Sequence, residues 1–325
     1  GDVYMPMTPM FHVMAWGFPY TATMLGLKQV YPGRYAPDLL LKLIETEKVS
    51  ITHCVPTILQ MLLKQTEAEG KKFNGLKMII GGSRLTEGLA SAALSSGIEV
   101  YTGYGMSETA PLISITEFRS DEGELSFEED VKRRCLSGKP VMLVEQQLWN
   151  GEGKAVAHDG KETGELVLRA PWLTQSYFKN ADAGDELWEG GYMHTQDIAS
   201  IKANGWLNIS DRLKDVIKTG GEWISSLEIE TILSLHPAVA DVAVIGIQDE
   251  KWGERPLAAI VLKSGAEDTN PKDIIALVEQ AAENGLIAKY GVPENYMIVD
   301  ELPKTSVGKH DKKVMRELYA NQTGV

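Results

Sequence analysis

The stretch that decides the reading runs from Asp211 to Glu230, DRLKDVIKTGGEWISSLEIE. Alternating charges surround Leu213, Val216 and Ile217, the run breaks at Gly220-Gly221, and an amphipathic segment follows. Paired glycines lift the Cβ barrier to unusual φ/ψ, so a backbone can turn sharply or swing there. Ser225-Ser226 followed by Glu228 reads as a helix start with its cap. On these residues alone the run is either a hinge or a surface hairpin between two elements of one domain.

The residues on either side differ in pattern. Upstream, the stretch from 1 to about 118 alternates helix and strand. The predicted helices are 38–47, 56–69 with Pro56 at its start, and 86–95. The predicted strands are 49–55, 76–80 and 98–101. That alternation implies a parallel sheet covered by helices, in which ligands sit at the C-terminal ends of strands. Gly81-Gly82-Ser83 and Thr102-Gly103-Tyr104-Gly105 follow two of those strands. The acidic, turn-rich stretch 121–130 reads as a solvated link. After it come short strands at 141–149, 164–170, 198–202 and 206–210, the pattern of a small antiparallel sheet or barrel over 119–212. Downstream, 213–325 reads as a small α+β domain, with helices 226–235, 271–283 and 312–319 and strands 239–247, 257–263 and 296–299.

Composition bounds the function. The chain has 325 residues, enough for two or three cores, and with 43% hydrophobic and 24% charged residues it falls among ordinary globular proteins. The formal charge of −13 argues against a nucleic-acid partner but not against a small anionic substrate, because the local field matters more than the total. No apolar run approaches the roughly 20 residues needed to cross a bilayer. Cys54 and Cys135 lack metal or redox spacing and read as reduced residues of a cytoplasmic protein.

Three stretches resemble, in order, motifs of the adenylate-forming superfamily: Tyr101–Pro111 (YTGYGMSETAP), Asp211–Glu230, and Leu302–Lys309 (LPKTSVGK). The GGEWISS wording and Met10–Trp16 (MFHVMAW) are similar to its medium- and long-chain fatty acyl-CoA synthetase branch. The resemblance implies a large α/β N-terminal domain with a small β subdomain, followed by a small mobile α+β domain. It implies an ATP-dependent ligase that joins a fatty acid or other small carboxylate to CoA through an acyl-adenylate, releasing pyrophosphate and then AMP, with Mg²⁺. Members also carry an upstream Ser/Thr/Gly-rich phosphate loop. That loop is not found here, and the chain opens on Gly1, so the expectation is a portion of a longer protein, with a homodimer possible.

By the resemblance, Gly82, Ser83, Thr102, Gly103 and Tyr104 cradle adenine and its sugar, Ser107 bonds a phosphate and Glu108 holds Mg²⁺. The residue types suit this: glycine permits close backbone approach, Tyr104 can lie flat on a purine, and a carboxylate is a hard oxygen ligand. His12 lies amid apolar residues, where a histidine is more often a packing residue; the resemblance places it at the acyl pocket. Trp16, Phe18 and Tyr20 line an acyl tunnel or form core, and periodicity does not separate the two. Asp197, with Gln196 where the family usually has Gly, is implied to take the ribose hydroxyls. Arg212 is implied to serve ribose and phosphate, and Lys214 to be the pivot of the mobile domain. Lys218 and Trp223 are placed near the adenylate, with Trp223 gating the acyl tunnel. Lys309 is implied to reach the α-phosphate and the carboxylate in the first half-reaction. Two alternatives stay open: another carboxylate, such as a short thioether or aryl acid, and a non-catalytic nucleotide-binding fragment.

Overall fold

A computed structural model describes residues 1–117, 125–220, 222–305 and 309–319, with only the backbone of Glu222 and Trp223. The chain divides into two compact units, Gly1–Thr195 with Ala199–Ile209, and Gln196–Ile198 with Ser210–Val325.

In the first unit, β1 (Val3–Pro6), β2 (Lys28–Gln29), β3 (Ile51–Cys54), β4 (Leu76–Ile80), β5 (Ile98–Gly105), β6 (Leu112–Ile115) and β7 (Lys139–Pro140) form one sheet in the order β2-β1-β3-β4-β5-β6-β7. The first five strands of that order are mutually parallel, and β6 and β7 join antiparallel. Helices Pro37–Glu47, Pro56–Ala68 and Glu87–Ser95 cover it, each of the first two starting on proline, whose fixed φ suits a first turn. Met5, Met7, Leu59, Leu62, Met78, Ile80 and Val100 are packed out of water between these layers.

Three expectations need correction. Strand β5 does not stop at Tyr101: it runs to Gly105, because beyond Thr102 it exchanges its parallel neighbour for an antiparallel one, with Gly103 opposite Ile115. The Thr102–Gly105 stretch therefore lies within a strand rather than past its end. The run 141–149 is not one strand; Val144 N–H closes a turn onto the Val141 carbonyl at 3.1 Å, Leu143 has φ +70°, and β8 (Glu145–Trp149) begins after it. The acidic stretch 121–130 is described only from 125, and there a helix, Phe127–Arg134, replaces the expected link. Ser126 and Glu129 form a reciprocal capping box, and Asp130 pairs with Arg133 and Arg134 one turn on.

A second sheet has the order β11-β10-β9-β8, where β9 is Gly164–Arg169, β10 Met193–Ile201 and β11 Leu207–Arg212. Leu148, Leu166, Leu168, Met193, Ile201 and Leu207 form its core.

The second unit is built on β12 (Ile217–Thr219), β13 (Glu222–Ile224), β14 (Val239–Asp249), β15 (Gly253–Leu262) and β16 (Asn295–Ile298). Their order is β13-β12-β15-β14, with β16 parallel to β15. The period of two on β14 sorts its side chains: Val242 and Val244 pack with Ile229, Leu233, Ile274 and Val278, whereas Ala243, Ile245 and Ile247 pack with Leu302, Met315 and Tyr319. Helices Ser226–Ser234 and Pro271–Glu283 thus supply one face and helix Lys312–Tyr319 the other. At the double glycine β12 and β13 pair with Thr219 opposite Glu222 and Gly220 at φ +59°, so the local geometry is a hairpin; Gly221 lies outside the described residues. No helix among the described residues is long and apolar enough to cross a membrane.

Candidate active site

The residues singled out in the sequence fall into two sets, one in each unit. In the first unit, β4 leads into Gly81-Gly82-Ser83. A Cβ on Gly81 would stand 2.9 Å from the Gly103 carbonyl oxygen and 3.1 Å from Trp16 Cη2, so the glycine lets β4, β5 and an indole ring meet. Gly82 has φ +80° and Ser83 is exposed. Thr102 is buried and its hydroxyl donates to the Arg134 carbonyl at 2.6 Å, which commits the side chain to the protein. Gly103 is buried, and half-buried Tyr104 packs on the core of the second sheet.

Ser107 is exposed and opens the 3₁₀ turn Ser107–Thr109. Glu108 is held from two sides: its carbonyl accepts Thr174 N–H at 2.9 Å, and its Oε1 accepts the Tyr177 hydroxyl at 2.9 Å. Burial, with the Glu108 hydrogen bond and charge, pushes the Tyr177 phenol up to about 12. No group of three or more His, Cys, Asp or Glu side chains that could hold a metal occurs among the described residues. A single anchored carboxylate suits Mg²⁺ delivered with phosphate oxygens, because that ion keeps most of its ligands from water and substrate.

His12 is half-buried, and its backbone N–H donates to the Pro9 carbonyl at 3.0 Å. The four residues after it, Val13 to Trp16, all have φ between +47° and +59°, a left-handed turn without glycine. Each such residue costs roughly 1–2 kcal/mol, so the packing beneath must hold the turn. His53, unremarked in the sequence, lies in that packing. It is fully buried, bonds Tyr4 Oη at 2.7 Å and Thr8 Oγ1 at 2.9 Å, and stacks on Phe18 with Trp16 also 4.9 Å away. Burial lowers its pKa to about 3, so the ring is neutral.

In the second unit three of the chosen residues come together. Asp197 is buried, 3% exposed, and its Oδ1 stands 3.2 Å from Arg212 Nε. Lys309, half-buried, feels both of their charges. Its pKa lies below the usual lysine range, first because burial disfavours the cation and then because Arg212 repels it, with Asp197 acting the other way. Gln196, standing where glycine is usual, has φ +57°, and its carbonyl accepts Leu213 N–H at 2.8 Å. That left-handed setting is one glycine takes without cost.

Lys214 is exposed, and its carbonyl accepts Arg316, which also pairs with Asp215 at 2.6 Å. Lys218 is exposed, with its N–H on Glu254 Oε2 at 2.9 Å. The Trp223 side chain lies outside the described residues.

Two further charge clusters were not singled out in the sequence. Half-buried Lys312 places Nζ 2.7 Å from Glu230 Oε1 and 2.6 Å from Ser226 Oγ; that hydroxyl and the Ser226 N–H both donate to Asp211 Oδ2 at 2.6 Å. Burial works against the Lys312 cation, and Glu230 and Asp211 more than offset it, raising its pKa. Asp241 takes Lys304 Nζ and His310 Nε2, each at 3.0 Å. The local signal for the second is His310, a histidine directly after Lys309.

Residues 1–178 match the AMP-binding enzyme family, and residues 228–309 match the AMP-binding enzyme C-terminal domain. A long-chain-fatty-acid–CoA ligase of Thermus thermophilus is 40% identical over 99% of this chain, and a 3-methylmercaptopropionyl-CoA ligase of Ruegeria lacuscaerulensis is 38% identical over 98%. The alignments cover 59% and 58% of those relatives, so the chain spans somewhat under two thirds of their length. Among solved structures, o-succinylbenzoate CoA synthetase of Bacillus subtilis, in complex with its acyl-adenylate intermediate, superposes with a TM-score of 0.80 at 26% identity, over 97% of this chain and 60% of that one. With more than half its residues matched by the family and a relative at 40% identity across nearly its whole length, this chain belongs to the AMP-binding enzyme family.

Proposed function

We propose that the protein is an AMP-forming acid–CoA ligase acting on medium- or long-chain fatty acids. The observation that carries this reading is the convergence of Asp197, Arg212 and Lys309, a carboxylate and a guanidinium from two consecutive strands and a half-buried ammonium from a stretch distant in sequence. The carboxylate substrate attacks the α-phosphorus of ATP, giving acyl-adenylate and pyrophosphate; the CoA thiol then attacks the mixed anhydride and AMP leaves. Asp197 accepts the ribose hydroxyls, Arg212 serves ribose and phosphate, and Lys309 places its charge against the negative charge that develops on phosphate and carboxylate. Glu108 would hold Mg²⁺, which would supply positive charge against the phosphates.

In the same reading Gly82, Ser83, Gly103 and Tyr104 receive the adenine and its sugar, Thr102, tied to Thr116 and the Arg134 carbonyl, holds the strand that carries Gly103 and Tyr104, and Ser107 takes a phosphate oxygen. His12 positions the acyl group, Lys218 and Trp223 stand by the adenylate, and Lys214 is the pivot of a C-terminal unit that turns between the half-reactions. The identity to a fatty-acid ligase favours a fatty acyl substrate, and the nearly equal identity to a methylmercaptopropionyl ligase keeps a short thioether acid as the second reading. The test uses the full-length protein with ATP, CoA and a graded panel of acids. A kcat/KM that rises from acetate to decanoate supports the first reading, and a maximum at 3-methylmercaptopropionate supports the second. In the same protein Lys309→Ala is expected to slow adenylate formation about 10²–10³-fold, as loss of one preorganised donor does. An unchanged rate of adenylate formation would overturn the assignment.

A further inference from the structure

Lys309 sits in a loop whose two ends are tied to each other. Lys304 and His310 form an antiparallel bridge, Thr305 N–H donates to the Lys309 carbonyl at 2.8 Å, Lys309 N–H donates to Thr305 Oγ1 at 3.2 Å, and Asp311 N–H donates to the Pro303 carbonyl at 2.8 Å. These bonds close the neck of the loop, but they do not fix the neck to the sheet. On the far side, buried Leu302 and Met315 anchor the flanking chain in the core under β14.

The carboxylate of Asp241, on β14, supplies the link. Oδ2 accepts Lys304 Nζ at 3.0 Å; Oδ1 accepts His310 Nε2 at 3.0 Å and the Val242 N–H at 3.0 Å. One half-buried anion therefore grips both strands of the neck. Two basic side chains directly opposite each other on a ladder repel when both are protonated, and a carboxylate between them turns that repulsion into a clasp. We propose that Asp241 is a positioning residue for Lys309: its carboxylate, through Lys304 and His310, sets where the loop presents the Lys309 ammonium beside Arg212 and Asp197. The inference rests on the reading of Lys309 given above. A catalytic charge displaced by about an ångström loses much of its effect, so holding the neck matters more than its distance from the reacting atoms suggests.

The experiment separates the two half-reactions in the full-length protein. Acid-dependent exchange of pyrophosphate into ATP reports adenylate formation, and transfer from a synthetic acyl-adenylate to CoA reports the second step. Asp241→Asn keeps the shape and removes the charge; it is expected to slow exchange at least about tenfold and to leave transfer within about twofold. Trypsin cleavage after Lys304 and Lys309 should quicken in parallel. Lys304→Gln, at a more exposed position, tests the same clasp if Asp241→Asn fails to fold, and should slow exchange severalfold.

Equal changes in both half-reactions would mean that Asp241 only stabilises the fold, and unchanged exchange would mean that the clasp does not position Lys309; either overturns the inference. Lys309→Ala tells the two failures apart. If it abolishes exchange while Asp241→Asn does not, this inference alone falls; if Lys309→Ala leaves exchange intact, the reading of Lys309 falls with it.

Discussion

Around β4 and β5 the candidate residues are held by close backbone contact and neutral packing: Gly81 against the Gly103 carbonyl, Thr102 on the Arg134 carbonyl, and an uncharged His53 under the turn that follows His12. On β10 and β11 and around β14 and the closing helix Lys312–Tyr319 they are held by charge: Asp197 with Arg212, Asp241 with Lys304 and His310, Lys312 with Glu230, Arg316 with Asp215. Close packing resists a change of volume and tolerates little movement. Ion pairs depend on protonation and on salt, and they can part and re-form without disturbing a core. The first region therefore yields little to a change of volume, whereas the second responds to protonation and salt.

The sharpest way to break this contrast is to add one methyl group to the first region. A Cβ on Gly105 would fall 1.7 Å from the Pro111 carbonyl oxygen, so Gly105→Ala must part β5 from β6. The expected loss is about 3 kcal/mol or more in denaturant unfolding. Gly88, inside helix Glu87–Ser95 with nothing within 4 Å of its Cβ position, is the control; there alanine should gain about 0.5–1 kcal/mol. A loss below about 1 kcal/mol at Gly105 would show that the region yields, and the contrast would fail.

His53 gives the next largest effect, through pH. The unfolded chain binds a proton at this residue below about 6.5, whereas the folded chain does so only near 3. Folding stability therefore falls as pH drops from about 6.5 toward 3, by about 1.4 kcal/mol per unit from this one group, or about 2 kcal/mol between pH 7 and pH 5. His53→Gln removes that slope. Chemical denaturation of both proteins at the two pH values measures it, and an identical acid slope would mean that the ring is charged in the fold.

Much of the architecture was legible because it rests on local rules. Helix Pro271–Glu283 and strand β4 fall where apolar spacing puts them, and Ser225 caps its helix by accepting the Glu228 N–H at 3.2 Å. The errors came where a partner distant in sequence overrides local preference: β5 is prolonged by pairing with β6, and Gly103 and Gly105 look like a turn until the neighbouring strand is known. Helix Phe127–Arg134 carried its signal in full, Ser126 with Glu129 and Asp130 with Arg134, but its acidic start resembles a solvated link. The motifs named Asp197, Arg212 and Lys309 individually; nothing in their spacing could show that Asp241, almost seventy residues before His310, grips the same loop.

The charged region makes its own pH prediction. Burial and Arg212 hold the Lys309 pKa below the usual lysine range, and Asp197 opposes them. Arg212→Gln should raise that pKa, so that at mildly alkaline pH more of the amine is protonated and its acylation by an amine reagent slows severalfold. Asp197→Asn should lower it and speed acylation. Peptide mass spectrometry of the Lys309 segment across a pH series reads both. Shifts of the same sign would show that the two charges do not act on Lys309 as a pair, and the second region would lose its electrostatic account.

The smallest expected effect concerns Gln196, where backbone strain of the first kind meets the charged set. Its φ of +57° costs a non-glycine residue about 1 kcal/mol, yet its carbonyl bond to Leu213 N–H must survive, because it ties the strand carrying Asp197 to the segment that carries Arg212 and Lys214. Gln196→Gly keeps that bond and relieves the strain, while the freer unfolded chain takes back part of the gain, so the net should be a few tenths of a kcal/mol of added stability. Gln196→Val keeps the unfolded chain stiff and worsens the strain, because a branched Cβ suits the left-handed region least, and should cost about 1–2 kcal/mol. Melting temperatures of the two variants should therefore move in opposite directions. Were valine as stable as glycine, the position would not require its left-handed setting, and the usual glycine of this motif would need an explanation in ligand approach rather than in backbone strain.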